Sequence, residues 1–247
     1  MEHWQRSLKS GLVKMFLNNI VFAVTGDMTG WELFKNSLLP MIQGGIKYTI
    51  PLTLISFAIG IVIALLTALM RLAKTKILTV PARVYVSAIR GTPLLVQLFI
   101  IFFGLGSIGL TIDPFPSAII AFSLNVGAYG SEIIRASIAS IPKGQWEAAQ
   151  TIGMSYSQSL RRIILPQATR VSIPPLSNTF ISLVKDTSLA SLILVTELFR
   201  KAQEIAARTY DFMLLYVEAA ILYWVICFVL SIIQDQIENR LNRYVAR

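Results

Sequence analysis

Charge is scarce in this 247-residue chain: Asp, Glu, Lys and Arg make up 14% of it, against about a quarter in soluble domains. With 55% of residues hydrophobic, that shortfall points to lipid as the solvent. Cysteine and histidine are nearly missing. Cys227 stands alone inside an apolar run, which excludes an intrachain disulfide and a thiolate metal cluster, and His3 is the single histidine. Without a His, Cys or paired-carboxylate cluster, no catalytic residue and no metal ligand can be assigned. The phosphate-loop pattern G-x-x-x-x-G-K-[ST] is also missing, so the usual machinery of ATP hydrolysis is not in this sequence. Internal repeats of the kind that build secondary transporters, low-complexity segments and linkers are lacking too, which makes one integral domain the economical reading.

What charge there is has one dominant sign. The net charge is +9, from 22 Lys and Arg against 13 Asp and Glu. These basic residues lie mainly between apolar runs instead of gathering in one patch, which suits loops at the inner surface of a membrane and argues against nucleic acid as a partner. A spanning helix needs about 20 apolar residues, and charge-free stretches near that length occupy residues 48–70, 91–112 and 114–131. A fourth apolar region, 167–195, is interrupted by Pro174-Pro175 and by Lys185-Asp186, and a fifth, 212–233, contains only Glu218. The expected fold is therefore an all-α integral membrane protein of five transmembrane helices, the fourth irregular. Residues 11–25 form too short an apolar run to span, and we read 1–44 as an amphipathic surface segment. Residues 45–238 are then the transmembrane domain and 239–247 a tail. Placing the N-terminus outside puts twelve basic residues on inner segments against eight on outer ones, so the C-terminus is expected inside.

The inner loop 141–166 carries the densest signal. Its residues predict a short helix over 143–152 that stops at Gly153, a residue suited to the left-handed end of a helix. Ser155 and Gln158 then form a capping box for a second helix. Leu160, Ile163 and Ile164 share one face of that helix, and Pro166 should end it soon after. The loop is expected to be a rigid helical knuckle.

Glu147-Ala148-Ala149, then Gly153, Ile163 and Leu165-Pro166, resembles the EAA motif of ABC importer permeases at every defining position. Two further segments, Arg90-Gly91-Thr92-Pro93-Leu94-Leu95-Val96-Gln97 and Lys185-Asp186-Thr187-Ser188-Leu189, resemble the polar amino acid branch of that family, and together the likeness covers most of residues 45–235. The resemblance implies a type I ABC importer permease fold in a bacterial plasma (inner) membrane. It implies that Glu147, Ala148, Ala149, Gly153, Leu165 and Pro166 couple the chain to a separate ATPase. Two such ATPases would bind ATP and Mg, with no cofactor held in this chain. The other implied partners are a second permease chain, identical or related, and an external or periplasmic substrate-binding protein. The cargo would be an amino acid.

Several polar groups inside the spans invite a pathway role. Arg90 lies near the start of the second span, where Pro93 should break the helix. Its guanidinium could hold a substrate carboxylate through two parallel hydrogen bonds, or snorkel to the inner interface; both readings stand. Gln97, one turn past the break, is grouped with the pathway candidates. Asn125, Tyr129 and Glu132 stand at i, i+4 and i+7 on one helical face. Asn125 and Tyr129 are read as pathway residues, and Glu132 as the partner of Arg135. Lys185 and Asp186, as neighbours, point apart and need partners elsewhere. Permeases for basic amino acids similar to this one often carry Glu three residues before the arginine of R-G-T-P, where this chain has Ser87. That favours a neutral polar or cystine-like cargo. The competing function is an ion-gradient-driven amino acid transporter, which would use Glu132, Asp186 or Glu218 for coupling.

Overall fold

A computed structural model of the chain describes residues 29–73 and 75–242. The expected surface helix over 11–25 lies outside the described residues. The first described helix, α1, runs from Gly30 to Leu72 and crosses the boundary expected at residue 44 without a break. It begins at a capping box in which Thr29 accepts from the Glu32 N–H and Glu32 from the Thr29 N–H. Leu33, Ser37, Met41 and Gly44 form a buried stripe, so residues 30–44 pack against the rest of the fold as an extension of the first span.

The remaining helices are α2 (Lys76–Arg90), α3 (Leu94–Ser107), α4 (Pro114–Ala139), α5 (Lys143–Thr151), α6 (Tyr156–Ile193), α7 (Leu198–Thr209) and α8 (Phe212–Asn242). Among the described residues α1, α4 and α8 are each long and apolar enough to cross a membrane. The pair α2–α3 bends by 105° and the pair α6–α7 by 47°; each pair taken as one span makes five. The break expected at Pro93 is present, and the second span is a bent pair reaching back to Lys76 instead of the 91–112 segment alone. The helix stops at Arg90, Gly91 caps it, and α3 restarts after Pro93.

Two prolines, Pro51 and the Pro166 expected to end a helix, sit inside continuous helices. In both places a wide turn precedes the ring: the Ile50 N–H bonds to Gly45 O before Pro51, and the Leu165 N–H bonds to Leu160 O before Pro166. The shifted register opens the helix where the proline ring would otherwise meet a carbonyl one turn back. The helix therefore carries on through Pro166, and also through Pro174-Pro175, to Asp186. Arg170 and Val171, the residues one turn before those two prolines, are exposed. The real break in the fourth span comes at Leu194, which takes a left-handed conformation with φ of 70°.

The bundle is held by close backbone contact. On α1, Ser56, Gly60, Ala64 and Ala68 recur every four residues and are all buried, while large apolar residues such as Leu54, Val62 and Leu66 face outward. That is the pattern expected where lipid is the solvent and small residues let helices approach. A Cβ on Gly60 would lie 2.5 Å from Val126, and one on Gly127 2.5 Å from Ile63, so α1 and α4 pack nearly backbone to backbone. Leu52, Leu98, Phe122, Val126, Leu183 and Ile193 fill the centre between α1, α3, α4 and α6. A second cluster, including Leu33, Met41, Leu198 and Leu215, joins α1 to α7 and α8.

Candidate functional site

Three features near one another in the fold carry the chemistry: the knuckle, a charged node and a polar cavity.

The knuckle has the predicted form. α5 ends at Thr151, Gly153 adopts φ of +78°, and the Gly153 and Met154 N–H groups bond to Gln150 O and Ala149 O. The Ser155–Gln158 capping box starts α6. Trp146 stacks on Tyr156 with ring centroids 5.3 Å apart, clamping α5 to α6. Ile138, Ile141, Ile164 and Ala168 pack beneath, with Leu160, Ile163 and Leu165 beside them. Glu147, Ala148, Gly153 and Pro166 are exposed as a docking surface requires. Ala149 is fully buried and Leu165 packs into the cluster below, so these two support the knuckle from inside instead of facing a partner. Ile152 is 73% exposed at the tip of the knuckle and was not singled out by motif reasoning. A large apolar residue beside a turn glycine was the available signal.

The charged node centres on Glu132 of α4. Its Oε1 accepts from Arg71 at 2.5 Å, at the end of α1, and lies 3.4 Å from Arg90. Its Oε2 accepts from Arg135 Nη2 at 2.9 Å and Nε at 3.1 Å. The expected Glu132–Arg135 pair is present, but Arg71 and Arg90 join it. The guanidinium of Arg90 also sits 5.2 Å from the centroid of the Tyr129 ring, within the range of a cation–π contact.

Beside the node lies a cavity of about 490 Å³, walled by Thr92 of the α2–α3 elbow, Asn125 and Tyr129 of α4, and Asn178, Ser182 and Asp186 of α6. Asn125 and Tyr129 are where the sequence put them. Asn178, Ser182 and Asp186 form a matching polar stripe at i, i+4 and i+8, and the first two were missed although the same spacing argument finds them. Gln97 does not reach the cavity. It is buried, and its Nε2 donates to Ile89 O, Thr92 O and Thr92 Oγ1, bracing the helix break. Ser87 is exposed and does not line the cavity either, which removes the ground for reading cargo charge from that position. Lys185 is exposed and is not among the residues that wall the cavity.

The model for the family described as binding-protein-dependent transport system inner membrane component matches residues 60–243, a span that includes the knuckle, the node and the cavity. The chain belongs to this family. It is 64% identical over 234 residues to the L-cystine transport system permease protein TcyB of Bacillus subtilis (strain 168), covering 94% of this chain and 100% of that one. It is 38% identical to the glutamine transport system permease protein GlnP of Escherichia coli (strain K12), over 83% of this chain and 94% of that one. Among solved structures, one described as an amino acid ABC transporter with histidines superposes with a TM-score of 0.82 at 35% identity, covering 86% of this chain and 99% of that chain. The inward-facing MetNI methionine ABC transporter matches with a TM-score of 0.70 at 19% identity, a likeness of fold alone. As a family member, the chain is the membrane-embedded permease component of an ABC importer, with the type I fold.

Proposed function

We propose that this permease carries L-cystine, or an amino acid closely similar to it, inward across a bacterial plasma membrane. The observation that supports this best is the 64% identity to the L-cystine permease TcyB along that protein's whole length. The cavity fits such a cargo: it mixes hydroxyl, amide and carboxylate side chains with an arginine at its edge, which suits a polar solute with both charge signs.

The proposal extends to the assembly. ATP hydrolysis belongs to two separate ATPase subunits, which hold ATP and Mg and grip the exposed Glu147, Ala148, Ile152 and Gly153. A second permease chain, identical or related, completes the pathway, and an external binding protein delivers the cargo. The N-terminus lies outside and the C-terminus in the cytoplasm, which places the knuckle on the ATPase side. Closure of the ATPases pulls on the knuckle, and the packed isoleucines beneath it transmit the motion to α4 and α6, the two helices that wall the cavity.

The test is uptake in proteoliposomes holding this permease, its ATPase and its binding protein. ATP-dependent accumulation of L-cystine, competed by few other amino acids, is expected. Uptake that proceeds without ATP and follows an imposed ion gradient would return the ion-driven reading.

A further inference from the structure

One carboxylate, Glu132, faces three guanidinium groups, so the node is positively charged overall. The three are not held alike. Arg71 is hydrogen-bonded and mostly buried, and Arg135 makes two hydrogen bonds to Oε2. Arg90 makes none, resting at 3.4 Å from an oxygen already taken by Arg71, with its side chain 43% exposed. Repulsion from Arg71 across that shared oxygen makes Arg90 the most easily released of the three.

Its surroundings show where it would go. The Arg90 guanidinium lies over the Tyr129 ring, and Tyr129 lines the cavity. Arg90 is the last residue of α2, and Thr92 two residues later is itself part of the cavity wall. Gln97 ties the carbonyls of Ile89 and Thr92 together, so the elbow is braced and only the Arg90 side chain needs to move. A guanidinium presents a planar fork that matches a carboxylate through two parallel hydrogen bonds.

We infer that Arg90 is a two-position ligand, resting on Glu132 in the empty cavity and turning past Tyr129 to take a carboxylate of the transported molecule. Glu132 competes with the cargo for it. The competition keeps the cargo from being held too tightly to leave, and it selects for solutes that carry a carboxylate. This rests on the proposed role of the cavity as the cargo's path.

The experiment measures binding of radiolabelled L-cystine and of L-cystine dimethyl ester, which lacks free carboxylates. The protein is the full-length permease co-purified with its ATPase in phosphatidylcholine nanodiscs. Arg90→Gln is expected to weaken L-cystine binding about tenfold or more while changing ester binding less than about twofold. Arg90→Lys, which keeps the charge but loses the fork, falls between wild type and Arg90→Gln. Glu132→Gln is expected to tighten L-cystine binding several-fold, the opposite sign to Arg90→Gln. If Arg90→Gln weakens both probes equally, or Glu132→Gln weakens L-cystine as Arg90→Gln does, the node is only structural and the inference falls. Should Glu132→Gln not fold, the ratio of the two probes on Arg90→Gln decides. Wild-type complex that imports L-cystine with ATP yet binds ester and acid alike overturns this inference alone, whereas wild type with no ATP-driven uptake overturns the proposed function and this inference with it.

Discussion

The Tyr223 hydroxyl donates to the Glu197 carboxylate at 2.6 Å, joining α8 to the turn where the fourth span breaks. Glu197 is fully buried and caps α7, its two oxygens accepting from the Phe199 and Arg200 N–H groups at 2.8 and 2.6 Å. A buried carboxylate needs every one of these donors, because leaving it short of a partner costs about 1–3 kcal/mol. Tyr223→Phe should therefore lower the thermal midpoint of the purified permease, with a loss of about 1–3 kcal/mol. Glu197→Ala should cost more, since it also strips the helix of its cap. A Tyr223→Phe midpoint equal to wild type would mean that the two backbone donors and the Thr49 hydroxyl satisfy Glu197 without it.

The tip of the knuckle should be separable from its base. Glu147→Arg and Ile152→Asp alter exposed groups that contact nothing essential within the chain. Both should leave insertion and thermal stability near wild type while the ATPase fails to co-purify and uptake collapses. Ala149→Leu is different: it overfills a site with no exposure and should destabilise the chain itself by about 1–3 kcal/mol. Pull-down of the ATPase alongside thermal unfolding distinguishes the two classes; Ile152→Asp retaining full ATPase binding would remove Ile152 from the interface.

Five spans and the knuckle were legible in the sequence because both rest on local signals: runs without charge, a capping box, a turn glycine. The 105° elbow was half legible, since Pro93 marks the break. What Gln97 does there was not legible, because an amide in an apolar span reads equally as lining or as brace, and only the positions of Ile89 O and Thr92 O decide. The prolines misled for a related reason. Pro166 ends a regular helix, but a wide turn just before it lets the helix pass, and nothing in the residues 160–164 announces that turn. The place of Arg71 on Glu132 was not legible, because it depends on how α1 crosses α4, a relation 61 positions apart in sequence. The four-residue recurrence of Ser56, Gly60, Ala64 and Ala68 was there to be read and predicts that crossing.

That crossing should be intolerant of added volume. A side chain at Gly127 would strike Ile63 and the Tyr85 hydroxyl, 2.5 and 2.7 Å from the new Cβ. The Tyr85 hydroxyl is itself fixed, donating to Leu124 O at 2.6 Å. Gly127→Val should therefore force α1 and α4 apart and cost about 1–3 kcal/mol or more. Val62→Leu, on the outward face of α1, should be nearly neutral. Equal melting behaviour of the two variants would contradict the close packing.

Asp186 is the group through which the cavity should recognise positive charge. It lines the wall with no cationic partner within 4 Å among the described residues, and the polar side chains of Asn178 and Ser182 continue its stripe along α6. An ammonium group about 4 Å from it would gain up to about 4 kcal/mol at an effective dielectric near 20, less whatever solvent screening removes. Asp186→Asn keeps the shape and the hydrogen-bonding capacity but loses the charge. It should raise KM for L-cystine uptake by about tenfold or more, since 1.4 kcal/mol is already tenfold, with coupling to the ATPase intact. Asp186→Glu should recover part of the loss. The proposed role of Arg90 gives a further check: an analogue lacking the amino group should be insensitive to Asp186→Asn yet still sensitive to Arg90→Gln, because the two residues would each take a different charged group of the solute. If Asp186→Asn shifts KM equally for cargo with and without an ammonium group, the carboxylate serves the packing of α6 and charge recognition lies elsewhere in the cavity.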